Sequence, residues 1–167
     1  MKKCVLVSGG AGFIGSHVSV ELIEAGYDVI VADNLLNCDL SGVEGVKKIT
    51  GKEDLPFVKM DFCDAEAAMR LFREHRIDAV IHFAGFKAVG ESVGEPLKYY
   101  RNNLESFIDV IEAARANGCR NILFSSSATV YGEPDSLPVT EASPRKEATS
   151  PYGNTKQMCE DILRDSV

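Results

Sequence analysis

The chain contains no tryptophan, no apolar run long enough to cross a membrane and no surplus of basic charge. Its 18 lysines and arginines face 25 aspartates and glutamates, a formal net charge of -7. No long-range field therefore draws it to nucleic acid or to an anionic membrane, and any phosphate must be held by local geometry. Paired cysteines are also missing: Cys4, Cys38, Cys63, Cys119 and Cys159 are odd in number, scattered, and show neither C-x-x-C nor zinc-type spacing. This excludes a disulfide framework and reads as reduced thiols in a cytoplasmic protein. A secretory leader is not expected either, because Met1-Lys2-Lys3 runs into an apolar stretch at 4–7 that glycines interrupt at once.

What the chain does have is 45% hydrophobic residues over 167 positions, enough for one domain with a real core. Apolar runs at 4–7, 29–32, 56–58, 79–83 and 121–124 are short and nearly continuous, as suits parallel strands covered on both faces. Helical patterns lie between and after them, at 13–25 with Gly26 as stop, at 65–75, at 97–117 with Gly118 as stop, and from 151 to about 164. The alternation predicts an α/β fold with a doubly wound parallel sheet, a dinucleotide-binding Rossmann domain over 1–167. Two stretches read as loops: 34–54, and 132–150 with Pro134, Pro138 and Pro144.

Between the first strand and first helix stands Ser8-Gly9-Gly10-Ala11-Gly12-Phe13-Ile14-Gly15, readable as Gly10-x-Gly12-x-x-Gly15 or as Gly9-x-x-Gly12-x-x-Gly15. Glycines there allow a tight turn and a close backbone approach to a pyrophosphate, while the helix start supplies N–H donors. The second strand ends in Asp33, eighteen positions beyond Gly15, where a carboxylate can accept from the adenosine ribose hydroxyls and repel a 2′-phosphate. The cofactor expected is therefore NAD rather than NADP. Asp61 and Phe62 follow the third strand, where they either hold an adenine or, in the case of Asp61, cap the next turn or helix.

Tyr152 and Lys156 are four apart at the start of the last helix and so share one face. A phenol with an ordinary pKa of about 10 is too weak a base at neutral pH, and a nearby ammonium favours the phenolate. The same spacing also suits a half-exposed aromatic beside a solvated lysine. Ser125-Ser126-Ser127 falls at the carboxyl end of the fifth strand, where ligands bind in open parallel sheets. One of these hydroxyls can bond a substrate oxygen while another caps a turn.

Together these features resemble the extended short-chain dehydrogenase/reductase family. Longer strings narrow the likeness to its nucleotide-sugar epimerases: Ile81-His82-Phe83-Ala84-Gly85-Phe86-Lys87-Ala88-Val89-Gly90-Glu91-Ser92-Val93, Ser125-Ser126-Ser127-Ala128-Thr129-Val130-Tyr131-Gly132 and Ser150-Pro151-Tyr152-Gly153-Asn154-Thr155-Lys156. The related dehydratases carry an Asp-Glu pair where this chain has Ala128 and Thr129, so the resemblance implies epimerisation and not loss of water. It implies an isomerase of galactose metabolism that interconverts UDP-galactose and UDP-glucose. Tyr152 takes the proton of the sugar 4-hydroxyl while hydride passes from C4 to NAD, and the hydride returns to the other face.

The likeness also assigns Ser127 to the 4-oxygen, Lys156 to the nicotinamide ribose and to Tyr152, and Lys87 to the cofactor or its phosphates. Phe83, Ala84, Gly85, Asn102 and Ser125 line the cofactor groove; Phe13, Ile14, Asn34, Asn37 and Cys38 join Gly9, Gly12, Gly15 and Asp33 nearer its pyrophosphate and adenosine. His17, His75 and His82 receive no chemical role. A homodimer through helices 97–117 and 151–164 is implied, as is a longer enzyme whose remaining half completes the UDP-sugar site, leaving this portion inactive alone. A stand-alone NAD-binding module without catalysis, or an epimerase or reductase for another nucleotide sugar, are the alternatives.

Overall fold

A computed structural model describes residues 2–166; Met1 and Val167, at the two ends of the sequence reading, lie outside the described residues. Five strands, β1 (Cys4–Ser8), β2 (Asp28–Asp33), β3 (Phe57–Lys59), β4 (Ala79–His82) and β5 (Ile122–Phe124), form one parallel sheet in the order β3-β2-β1-β4-β5. Around them run helices α1 (Phe13–Glu24), α2 (Ser41–Thr50), α3 (Ala65–Glu74), α4 (Val89–Gly94), α5 (Pro96–Ala116) and α6 (Pro151–Asp165), with a short 3-10 helix at Ala128–Tyr131. The chain gathers into two compact units, Met1–Ala84 with Ser106–Leu123, and Gly85–Glu105 with Phe124–Val167.

In the first unit the strand side chains alternate between two cores. Val5, Val7, Val29 and Val31 pack with Val43, Val46 and Leu55 on one face of the sheet. Leu6, Ile30, Ala32 and Val80 pack with Leu71, Phe72, Val110 and Ala114 on the other. With helices on both faces, the inner positions of both strands, Val5 to Val7 in β1 and Val29 to Ala32 in β2, are all apolar, which is why their runs are continuous and not alternating. Gly26 and Gly118, read as helix stops, both take positive φ, +91° and +76°.

The structure corrects one reading outright: 34–54 is not a loop, because it contains α2. Only Val43 and Val46 of that helix are buried, and Gly42 and Gly45 lower its intrinsic propensity, so little in the local sequence announces it. Its stability comes from seating those two valines in the core. Gly42 has a steric reason, since a Cβ there would lie 2.2 Å from the Ala11 carbonyl oxygen.

The second unit centres on α6 and on the stretch 85–105. Stretch 132–150 carries no helix or strand, as expected, and is tied to α6. Arg145 meets Asp161 through its two terminal guanidinium nitrogens, and Gln157 Nε2 donates to the carbonyls of Val130 and Lys146. None of the five cysteines, all of them among the described residues, is joined in a disulfide.

Candidate functional site

The glycine turn of the first unit is built for close contact. Gly9 takes φ +72°, and a Cβ on it would come within 2.6 Å of the Ala84 nitrogen, so the turn lies directly on the Phe83–Ala84 backbone. A Cβ on Gly15 would meet Gly9 O at 2.5 Å, and one on Gly10 would meet Val7 O at 2.8 Å. Gly12 is the N-cap of α1 and no side chain caps the helix behind it. The donors that any helix start leaves over are thus free of side-chain competition, with Phe13 and Ile14 exposed beside them.

Asp33 closes this turn as well as ending β2. Its Oδ2 accepts from the Ala11 N–H at 3.1 Å and its Oδ1 from the Leu35 N–H at 2.9 Å, with the Cys38 thiol donating to Oδ1 at 3.6 Å. The carboxylate is buried yet keeps lone pairs for further donors. Asn34 Nδ2 donates to Asp61 Oδ2 at 3.1 Å, so two candidates predicted from separate strands are joined. Asp61 Oδ1 also accepts from Cys63 N, while the N-cap of α3 is Asp64. Phe62 is buried, its ring edge-on to His82 at 6.1 Å between centroids. Only its main chain can therefore meet a ligand. Asn37 is exposed. His82 bonds Ser8 Oγ through Nδ1 at 2.8 Å and packs on Phe107, as fits a packing residue.

The second unit holds the other cluster. Lys156 is buried, its Nζ donating to the Ser125 carbonyl at 2.9 Å, 4.6 Å above the Phe124 ring and 5.8 Å from the centre of the Tyr152 ring. Burial drives its pKa down to about 8. The three serines have three different partners. Ser125 offers its carbonyl to Lys156, and Ser126 Oγ donates to Glu160. Ser127 is itself the N-cap of the 3-10 helix, accepting from Thr129 N at 3.3 Å and from Thr129 Oγ1 at 3.0 Å. The serine expected to meet the substrate oxygen is thus the one that caps the turn. With both lone pairs engaged, its hydroxyl proton is left to donate.

Thr129 also packs against α6 beside the tyrosine, 3.2 Å from where a Cβ on Gly153 would stand. Sequence reasoning missed Thr129 as a partner, and missed Asn103. The buried Asn103 amide accepts from Phe86 N at 2.8 Å and donates to Phe86 O at 3.0 Å and to Thr155 Oγ1 at 3.1 Å. It thereby ties the segment after Gly85 to α6, while the neighbouring Asn102 donates to it at 3.0 Å and Lys87 stays exposed. Among the described residues no group of three or more His, Cys, Asp or Glu is placed to hold a metal ion, and no helix is long and apolar enough to cross a membrane.

The family model described as the NAD dependent epimerase/dehydratase family matches residues 5–167. The UDP-glucose 4-epimerase of Bacillus subtilis (strain 168) is 55% identical over 161 residues, which is 96% of this chain and 47% of that protein. UDP-glucose 4-epimerase 2 of Arabidopsis thaliana is 50% identical over 167 residues, 99% of this chain and 47% of its own length. Among solved structures, the Bifidobacterium longum UDP-glucose 4-epimerase in complex with NAD+ and UDP superposes with a TM-score of 0.94 at 48% identity, covering 98% of this chain and 48% of that one. The chain spans about half the length of the relatives it matches. It belongs to the NAD dependent epimerase/dehydratase family.

Proposed function

We propose that this chain is the NAD-binding and catalytic half of a UDP-glucose 4-epimerase, an isomerase that interconverts UDP-galactose and UDP-glucose. The observation that carries the reading is the second unit's cluster, a buried Lys156 beside the Tyr152 ring with Ser127 capped so that it can only donate. It is supported by the Bacillus and Arabidopsis relatives and by the NAD and UDP named in the Bifidobacterium complex.

The residues of the first unit fit a dinucleotide. Gly9, Gly10 and Gly15 let the turn pack tightly where a Cβ would collide with the chain's own atoms, Gly12 leaves a helix start without a side-chain cap, and Asp33 offers a carboxylate to ribose hydroxyls. Phe13 and Ile14 present the helix-start N–H groups to the pyrophosphate; Asn34, Asn37, Cys38, Asp61 and the Phe62 main chain serve the adenosine. Phe83, Ala84, Gly85, Lys87, Asn102 and Ser125 serve the remainder. NAD, when bound, supplies a hydride acceptor that later returns what it took.

Ser127 donates to the sugar 4-oxygen and orients it. Tyr152 removes the 4-hydroxyl proton as hydride leaves C4, and gives it back once the 4-keto sugar has presented its other face. Lys156 holds the nicotinamide ribose, and its charge favours the phenolate form of the residue it neighbours. Charge development at the 4-oxygen is thus met by one fixed donor and one proton acceptor, and Ala128 and Thr129 offer no acid or base that could eliminate water.

The full protein is proposed to work in the cytoplasm as a homodimer through α5 and α6, where Leu97 and Met158 are exposed apolar residues. The test is to supply UDP-galactose to the full-length protein carrying this chain and follow UDP-glucose, then release bound nucleotide by denaturation and weigh it. UDP-glucose and NAD are expected. No turnover overturns the activity, and NADP overturns the role given to Asp33.

A further inference from the structure

The first turn of α6 leaves one N–H that its own sequence cannot satisfy. Pro151, at the first helical position, has none to satisfy. The Gly153 N–H goes to the Ser150 side chain at 3.1 Å, and the Asn154 N–H to the Ser150 carbonyl at 2.9 Å. That leaves Tyr152, whose N–H donates to Ser92 Oγ at 3.1 Å across sixty positions of sequence. Ser92 is fully buried, and its own proton goes to the Val89 carbonyl at 2.6 Å. Its direction of bonding is therefore set, proton toward Val89 and lone pair toward Tyr152.

The short helix bearing Ser92 is only six residues long and would not persist by itself. A cluster on α5 holds it. The buried Tyr99 hydroxyl donates to Glu91 Oε2 at 2.7 Å and accepts from the Ala88 N–H at 3.1 Å, while Lys98 Nζ reaches Glu91 Oε1. Desolvation, with Glu91 beside it, pushes the Tyr99 pKa up to about 12, so this phenol stays a donor across the physiological range. The segment is thus clamped at Ala88 and at Glu91, directly before Ser92, and Ser92 itself meets the main chain of Tyr152.

We propose that Ser92 is a positioning residue for the Tyr152 proton transfer, fixing the backbone from which the phenol projects. The proposal rests on the reading of Tyr152 as the proton acceptor given above. A side chain that must sit within hydrogen-bond reach of a sugar hydroxyl is only as well placed as its Cα, and a displacement of about 1 Å is enough to cost about a hundredfold in rate. Ser92 itself touches no reacting atom in this account. It acts through the Tyr152 main chain, which is why its loss should lower kcat and leave KM alone.

The experiment uses the full-length protein carrying this chain, unmodified and as S92A and S92T. Two quantities are read: the hydrogen-exchange rate of the Tyr152 amide, and kcat and KM with UDP-galactose. In S92A the Tyr152 amide is expected to exchange at least about tenfold faster and kcat to fall about tenfold, with KM within about twofold of the parent. S92T, which retains the hydroxyl, should exchange slowly and turn over near the parent rate. Unchanged exchange in S92A overturns the proposal, and so does faster exchange with unchanged kcat. Should S92A fail to fold, a folded S92T that loses both slow exchange and turnover overturns it instead. An unmodified protein without epimerase activity refutes the functional reading, and Ser92 is then judged on Tyr152 exchange alone.

Discussion

Gly42 and Gly45 lie one turn apart in α2, and replacing each with alanine should move stability in opposite directions. Helix propensity favours alanine over glycine by about 0.8–1 kcal/mol at an interior position and by less in the first turn. A Cβ on Gly45 meets nothing within 4 Å, so G45A is expected to stabilise the fold by about 0.5–1 kcal/mol. A Cβ on Gly42 would stand 2.2 Å from Ala11 O, where real contacts stay beyond 3.0 Å. Backbone must move by most of that difference, since no flexible side chain stands in the way. Overpacking of this kind costs about 1–3 kcal/mol, which outweighs the propensity gain and makes G42A destabilising by about 0.5–2 kcal/mol. The shift would be felt in the cradle, because the Ala11 N–H donates to Asp33 Oδ2. Urea denaturation of the parent and both variants gives the stabilities, and titration with NAD gives the affinity. G42A as stable as the parent, with unchanged NAD affinity, would refute the reasoning, and G45A guards against reading a general intolerance of α2 as a local clash.

Three further outcomes are expected. Because the Lys156 pKa of about 8 lies below its ordinary 10.5, between those values the unfolded chain binds a proton that the folded one has released, so stability from this group rises with pH across that window. Unfolding free energies from urea denaturation, K156M subtracted from the parent, should shift by up to about 1.4 kcal/mol per pH unit there, and a difference that stays flat from pH 7 to 10 would contradict the burial argument. T129V removes one of the two bonds that orient Ser127; kcat of the full-length protein should fall about tenfold while T129S keeps it, and equal kcat for all three proteins would mean that the cap sets no proton direction. D33N should weaken NAD binding at least about tenfold and narrow the preference over NADP, as read by equilibrium titration with both nucleotides; an unaltered ratio would remove the ribose role from Asp33.

The strands were legible because a sheet covered on both faces leaves little choice of residue: the unbroken run through Val5, Leu6 and Val7 feeds two different cores. Helices α1, α3, α5 and α6 announced themselves by period, α1 and α5 also by their glycine stops, with boundaries within a residue or two. Helix α2 did not, since its identity as a helix depends on where Val43 and Val46 are seated and its glycines speak locally against it. Helix α4 is too short for any period to show and is held by the Tyr99 and Glu91 side chains. Both omissions are cases of tertiary contacts supplying what local propensity lacks.

The same division runs through the site. Proton transfer calls for a group with a titratable hydroxyl and a neighbouring cation, so Tyr152 and Lys156, the pair proposed for it, stood out as candidates by type and four-residue spacing once the glycine turn, Asp33 and the serines were read beside them. Support has no such restriction on type. A hydroxyl that caps the N–H of Tyr152 could have come from any residue the fold carries there, and nothing in the string around Ser92 points sixty positions onward. Asp33 shows the intermediate case: its acid was legible as a partner for ribose, yet its two bonds to the backbone of Ala11 and Leu35 make it equally a brace of the turn. A carboxylate that braces the turn and is also proposed to meet the nucleotide cannot be altered in one role alone. D33N should therefore lower stability as well as affinity, by about 1–3 kcal/mol where charge-assisted bonds to backbone N–H groups are weakened. Loss of affinity with stability untouched would show that the brace is carried by the turn's own backbone and that Asp33 belongs to the ligand alone.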